Sequence, residues 1–503
     1  MKIDIFASSD VHGHIVPYDY GTNRHINNSL ANLSTAYKEL KDENSILIDN
    51  GDMIKGNFIE RFVFYDKQPS VELMNFMKYD IWNLGNHEFN YGLDNIYRLV
   101  ENFNGTSLLA NSNGEFMDYK IIERSGIKIA FIGINTPLVN TFEKGELGEF
   151  RITDPVDVID KIIDKIHDKV DAIVGLFHVG IGDENGVLHA GAESILKDLK
   201  NLEYLDCIII GHTHDGFEEK YYKHVLATQP IAYSRGLTRL SLEFDDNKKL
   251  ISKKAEIIDV RNYKPDQNII DIYEPYNKKI LEYNNKVIGF LENVEGDFDY
   301  DLGDGPLVHL MTAIMRTYYP CDVVAFQIDS IYTWLNDGAF RRSDIAKVYS
   351  YSGGEVSLYE ITGKDLRDYM IWSSQYYDYN ETLYVNPRRK QFKYKTFDIF
   401  GNIKYTLDYR REERITKLQR LDGSEIKDDD KLIIGMNEYR MNYLISQKGP
   451  LSDRHFEQIA SSENILKDYP VHGTIREIAE VYFEQKDDST FHYNGKINFK
   501  IKY

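Results

Sequence analysis

Cysteine is nearly missing from this sequence, and long apolar runs are missing altogether. Its 503 residues contain two cysteines, Cys207 and Cys321. Both sit in strand-like apolar runs (LDCIIIG and PCDVVAF), so a disulfide framework is excluded and two small buried hydrophobes are expected. No stretch approaches the ~18 consecutive apolar residues of a membrane span. The opening MKIDIFASSD enters a strand-like pattern at once, without the basic, apolar and cleavage regions of a secretory signal, so a cytoplasmic location is expected. Positive charge is also in deficit: 60 Lys and Arg against 80 Asp and Glu give a formal charge of −20. Polymeric nucleic acid attracts surplus Lys and Arg and is not an expected partner. A small phosphorylated substrate stays open, because bound divalent cations can dominate a local field.

What is present is globular. Apolar residues make up 42% of the chain, Tyr is abundant at 37, and the length exceeds one ordinary core. From residue 1 to 261, strand-like runs alternate with helical ones. SLANLSTAYKELKDEN and DPVDVIDKIIDKIHDKVD place apolar residues three and four apart with charged outer faces. That alternation predicts an α/β layer architecture. The stretch from Val225 to Val260 alternates polar and apolar residues around a turn at Asp245–Lys248, and reads as hairpins closing the domain. Residues 262–294 read as a charged, mainly helical linker in which Pro275 should kink or start a helix. Residues 295–503 form a second, Tyr-rich unit of mixed helix and strand, including the helical GPLVHLMTAIMRTYYP and the strand DVVAFQ.

The chemistry lies where the apolar runs stop. IDIFASS ends in Asp10 and His12, SILIDNG in Asp52, and DIWNLG in Asn86 and His87. AIVGLF ends in His178, and CIIIG in His212 and His214. Open α/β folds put their sites at the carboxyl ends of strands, so each run delivers its ligands to the rim of a sheet. In Asp10-Val11-His12, and again in His212-Thr213-His214, side chains two apart leave one face of an extended segment and can chelate together. Gly51 permits the sharp turn that an exposed Asp52 needs. Any one ending is weak; five in one domain specify a two-metal site.

In order and spacing, D-x-H, GD, GNHE, H and GHxH resemble the calcineurin-like metallophosphoesterase superfamily. GNHEFNYG, FHVG and a second domain after a linker look more narrowly like the 5′-nucleotidase and 2′,3′-cyclic nucleotide phosphodiesterase family. The resemblance implies a four-layer α/β/β/α metal domain followed by an α+β substrate domain. It implies one ion held by Asp10, His12, Asp52 and His214, and a second by Asp52, Asn86, His178 and His212. Two such cations, ~3.5–4 Å apart, can hold a bridging water as hydroxide and clamp an in-line displacement at phosphorus. Mixed N and O ligands suit Mn, Zn, Fe or Co.

By the same resemblance, His87 stabilises phosphoryl oxygens or protonates the leaving alkoxide. Asn90 stands where the family usually carries the Asp that orients and charges this histidine. The second domain is expected to stack a base on Tyr351 and Tyr439, with Tyr332 where an arginine usually grips substrate; Arg341 and Arg342 either restore that charge or are simply solvated. The leading expectation is hydrolysis of nucleotide phosphoesters, either 5′-monophosphates or 2′,3′-cyclic diesters. The alternatives are a phosphatase for another small phosphorylated metabolite and a relative that binds nucleotide or metal without turnover.

Overall fold

The computed structural model describes residues 1–143, 147–299, 302–328, 334–347, 349, 354–390, 396–462 and 473–503. The chain divides into two compact units, Met1–Asp19 with Asn23–Lys279, and Tyr20–Thr22 with Ile280–Tyr503.

In the first unit, period-two alternation builds two six-stranded sheets. The strand Lys2–Ser8 pairs parallel with Ile46–Asp49 and antiparallel with Gly236–Phe244. The hairpin Gly236–Phe244 to Leu250–Asp259 closes that sheet on the expected turn, and Ile81–Asn83 and Thr106–Leu108 complete its other side. In the second sheet, Ala172–His178 lies parallel between Ile127–Asn135 and Cys207–Ile210. One face of each sheet packs on the other: Ile3, Ile5, Ile48 and Ile81 join Phe131, Val174, Leu176 and Ile209 in a single core.

The opposite faces take helices. Phe6, alternating with Ile5 and Ala7, meets Tyr37 of the helix Leu30–Leu40 edge-on, with ring centres 5.3 Å apart. On the second sheet, the helix Pro155–Ile166 packs Ile159, Ile163 and Ile166 with Ile173 and Ile210. Asp154 caps that helix by accepting from Val156 N, and Pro155 occupies its first turn, where no N–H is needed. The result is the expected α/β/β/α order, with both strand sets delivering their carboxyl ends to one rim.

Helix Gln267–Asn285 runs through Pro275, which neither starts nor ends it. The second unit has a five-stranded sheet in the order Asp398–Gly401, Val323–Gln327, Lys431–Met436, Ser357–Thr362, Gln458–Ser461. Helices Pro306–Met315 and Gly363–Ser374 share one core with it, through Leu310, Met311 and Leu366 against Val324, Phe400 and Ile434. Both cysteines are buried and unpaired. No helix among the described residues is long and apolar enough to cross a membrane.

Candidate metal centre

Strands Lys2–Ser8, Ile46–Asp49, Ile81–Asn83, Ala172–His178 and Cys207–Ile210 each run directly toward a predicted ligand. The extended reading of the paired ligands is overturned. Strand Lys2–Ser8 stops before Asp10, and strand Cys207–Ile210 stops before His212. Asp10, His12, Asp52, His212 and His214 all adopt left-handed backbone, at φ 54, 47, 62, 69 and 62°. Each such residue costs on the order of 1–3 kcal/mol, and that cost persists only where the surroundings hold it. Backbone bonds between the loops do the holding. Asp10 N donates to Gly51 O at 2.8 Å, His12 N to Asp52 O at 3.0 Å, and Tyr233 N to Asp10 O at 2.8 Å. Gly51 is obligatory in this arrangement: at φ +103° a Cβ would lie 2.6 Å from Gly85 N and 2.7 Å from His178 Nδ1.

The side chains gather into two groups that share one carboxylate. Ligand atoms of Asp10, His12, Asp52 and His214 lie within 4.8 Å of one another, as do those of Asp52, His178 and His212. Asn86 joins the second group, its Oδ1 standing 2.7 Å from His212 Nδ1 and 3.2 Å from His178 Nε2. These two groups are compatible with a dinuclear metal site.

Hydrogen bonding tests whether cations fit. His12 Nδ1 is 2.8 Å from Lys55 O, and His178 Nδ1 is 2.6 Å from Asn50 O. A carbonyl only accepts, so both rings carry the proton on Nδ1 and aim Nε2 inward. The inward Nε2 of His12 stands 3.0 Å from His214 Nε2, and that of His178 stands 3.2 Å from Asp52 Oδ2 and from Asn86 Oδ1. In a neutral His178 ring, Nε2 is an acceptor aimed at two acceptors. Cations between them relieve that repulsion, and the donor set fits.

Charge in the metal-free cluster follows the same geometry. Burial opposes a charged His178, yet the Asp52 carboxylate beside it raises the imidazole to about 10. Burial would also raise Asp52 and Asp10. For Asp52 the charges of His178 and His87 outweigh it; for Asp10 the His214 hydrogen bond and the His178 charge do so, and both carboxyls fall below their ordinary range. His12 is pushed down to about 4, first by burial and then by the charge of His214. His87 is pushed down to about 3 by burial.

His87 is set beside the cluster: its backbone N–H donates to Asp52 Oδ1 at 2.9 Å, and its ring centre lies 5.5 Å from that of His12. Asn90 Oδ1 lies 2.7 Å from His87 Nδ1, the contact expected of an orienting residue. Tyr439 sits in the first turn of helix Glu438–Ile445 and is 62% exposed. Tyr351 and Tyr332 lie outside the described residues. Arg342 is not solvated: it is buried, ion-paired with Glu480, and its guanidinium lies 3.6 Å from the centre of the Tyr283 ring. Arg341 is exposed on strand Gly338–Arg341.

Sequence reading passed over three supporting residues. Glu88, fully buried, accepts from Asp52 N, Met53 N and Gly85 N at 2.9, 2.7 and 2.8 Å and so ties two ligand loops together. Tyr233 places its hydroxyl 2.8 Å from His214 Nδ1. Lys55 donates to Asn90 Oδ1 at 2.7 Å. Only Glu88 had a local signal, its place inside GNHEF.

The trifunctional nucleotide phosphoesterase protein YfkN of Bacillus subtilis (strain 168) is 24% identical over 512 residues, covering 87% of this chain and 34% of that protein. The chain thus spans about a third of that relative's length. A 2′,3′-cyclic-nucleotide 2′-phosphodiesterase/3′-nucleotidase of Haemophilus influenzae is 23% identical over 501 residues, covering 84% of this chain and 74% of that protein. A crystal structure from Staphylococcus aureus, assigned as a 5′-nucleotidase, shares the fold with a TM-score of 0.81 at 19% identity, covering 100% of each chain. Residues 3–216 match the family model of the calcineurin-like phosphoesterases, and residues 287–444 match that of the 5′-nucleotidase C-terminal domain.

Proposed function

We propose that this chain hydrolyses phosphate esters of nucleotides, 5′-monophosphates or 2′,3′-cyclic diesters, at a site of two divalent cations. The observation that carries the reading is the pair of ligand groups sharing Asp52. Asp10, His12, Asp52 and His214 would hold one cation, and Asp52, Asn86, His178 and His212 the other. When bound, the cations supply Lewis acidity and a deprotonated water at neutral pH.

The chain's own residues do the rest. Asn50 and Lys55 carbonyls hold the imidazoles of His178 and His12 with Nε2 inward. Glu88 keeps the Asp52 and Gly85 loops in register. His87, oriented at Nδ1 by Asn90, presents Nε2 to the phosphoryl or leaving oxygen. An amide orients the ring but supplies no negative charge to favour imidazolium, so esters with poor leaving groups should turn over slowly. In the second unit, exposed Tyr439 offers a flat face for a base. The nucleotide hydrolases among the relatives support this substrate class. A phosphate-release screen over nucleotides, cyclic nucleotides and sugar phosphates, with Mn, Zn and Co added in turn, tests it. Release confined to sugar phosphates would reassign the substrate.

A further inference from the structure

Four side chains form one hydrogen-bonded chain beside the cluster. His87 Nδ1 and Lys55 Nζ both lie 2.7 Å from Asn90 Oδ1, and Asn90 Nδ2 donates to Glu143. The two ends of an amide have nearly the same shape, so only their partners decide which end faces where. Here the partners are unambiguous. An ammonium only donates, and a carboxylate only accepts. Turning the amide over would set Nδ2 against Lys55 Nζ and Oδ1 against the Glu143 carboxylate, both repulsive.

The orientation matters to His87. With Oδ1 facing it, Nδ1 carries hydrogen, and Nε2 can then take up or give a proton without losing the contact. With Nδ2 facing it, Nδ1 must stay bare, and a ring protonated on both nitrogens would meet N–H with N–H. A carboxylate at this position has no wrong way round, because both its atoms are oxygens. An amide does, and requires something to hold it.

We propose that Lys55 and Glu143 are positioning residues that hold the Asn90 amide oxygen toward His87 Nδ1. Opposite charges on the two sides of the amide do what a carboxylate does by symmetry. The inference rests on the phosphoesterase reading, in which His87 Nε2 serves the reacting phosphate. Lys55 acts here through its side chain; its carbonyl separately fixes His12, which Lys55→Met leaves in place.

A double-mutant cycle tests this. Wild type, Lys55→Met, the pair Asn90→Asp with Glu143→Gln, and that pair combined with Lys55→Met are loaded with Mn and assayed on an alkyl phosphodiester. Lys55→Met should lower kcat about tenfold while KM changes less than about twofold, a fraction of the ~10²–10⁴ that a positioned proton-transfer group contributes. In an Asn90→Asp, Glu143→Gln background, where the glutamine amide can donate to the second carboxylate oxygen, the same substitution should lower kcat less than about twofold, because a carboxylate has no wrong way round. Equal losses in both backgrounds, or no loss in either, would overturn the proposal.

Nitrogen NMR of the His87 ring gives a second readout, independent of turnover. The wild type should show hydrogen on Nδ1, and Lys55→Met combined with Glu143→Gln should shift the ring toward hydrogen on Nε2. An unchanged tautomer would also overturn the proposal. If the metal-loaded wild type hydrolyses no ester at all, the functional reading fails while the tautomer measurement still decides the positioning.

Discussion

Asp52 faces two ways: its Oδ1 accepts the backbone N–H of His87 at 2.9 Å, and its Oδ2 lies 3.2 Å from His178 Nε2. The residue shared by both ligand groups therefore also seats the loop that carries His87. Asp52→Asn keeps the shape and one acceptor but removes the charge between two cations. Elemental analysis should find one divalent ion or fewer per chain, and turnover should fall by about 10³ or more, the scale of losing preorganised charge at a reacting centre. Circular dichroism should show the fold retained.

Gly51→Ala tests the strained backbone. A Cβ there would press on Gly85 N and on His178 Nδ1 while φ is held at +103°. The variant should lose about 2–4 kcal/mol of stability in denaturant unfolding and bind metal more weakly, since strain and overpacking act together. Unaltered unfolding and metal content would show that the loop relaxes freely.

Much of this site was legible because ligand chemistry permits few residue types. Asp10, His12, Asp52, Asn86, His178, His212 and His214 could be read from their places after apolar runs, and the structure brings all seven together. Their backbone could not be read. Asp-Val-His and His-Thr-His look like alternation in a strand, but the strands stop two residues short and the turns are left-handed. Contacts distant in sequence were also hidden: Lys55 and Glu143 reach Asn90 across 35 and 53 residues. The layered fold was plain in Ile3, Ile5 and Ala7 alternating with Phe6, since a one-residue shift would turn the core face outward. Arg342 misled because burial against Glu480 and Tyr283 leaves no local mark.

His189 should make stability depend on pH. Its Nδ1 lies 2.5 Å from Asp154 and its Nε2 lies 3.0 Å from Asp198, joining the N-cap of helix Pro155–Ile166 to the last residue of helix Ala192–Asp198. Burial works against its charge, but the two carboxylates outweigh burial and raise it above the ordinary 6.5. A raised folded value means the contribution is fully present below the unfolded value and is lost as pH rises through the folded one. His189→Gln should therefore cost on the order of 0.5–1 kcal/mol at pH about 5.5 and little at pH about 9, with the difference shrinking in high salt. Thermal melts at the two pH values check it; an equal cost at both would count against the ion pairs.

Arg342→Met should separate support from substrate contact. Glu480, mostly buried, would keep only the Lys286 ammonium as its partner, and the loss of the buried guanidinium should cost about 2 kcal/mol in unfolding experiments. KM of the folded variant for the best nucleotide found should stay within about twofold, since uniform binding is untouched. A large rise in KM without loss of stability would place Arg342 at the substrate instead.

The most direct test is hydrolysis of bis(p-nitrophenyl) phosphate by protein stripped with a chelator and reloaded with Mn, Zn or Co, with 5′-AMP and 2′,3′-cyclic AMP run alongside. The account predicts that turnover disappears with the metal, returns on reloading to two ions per chain, and is absent from Asp52→Asn. Protein that holds two ions yet turns over no faster than Asp52→Asn would contradict it.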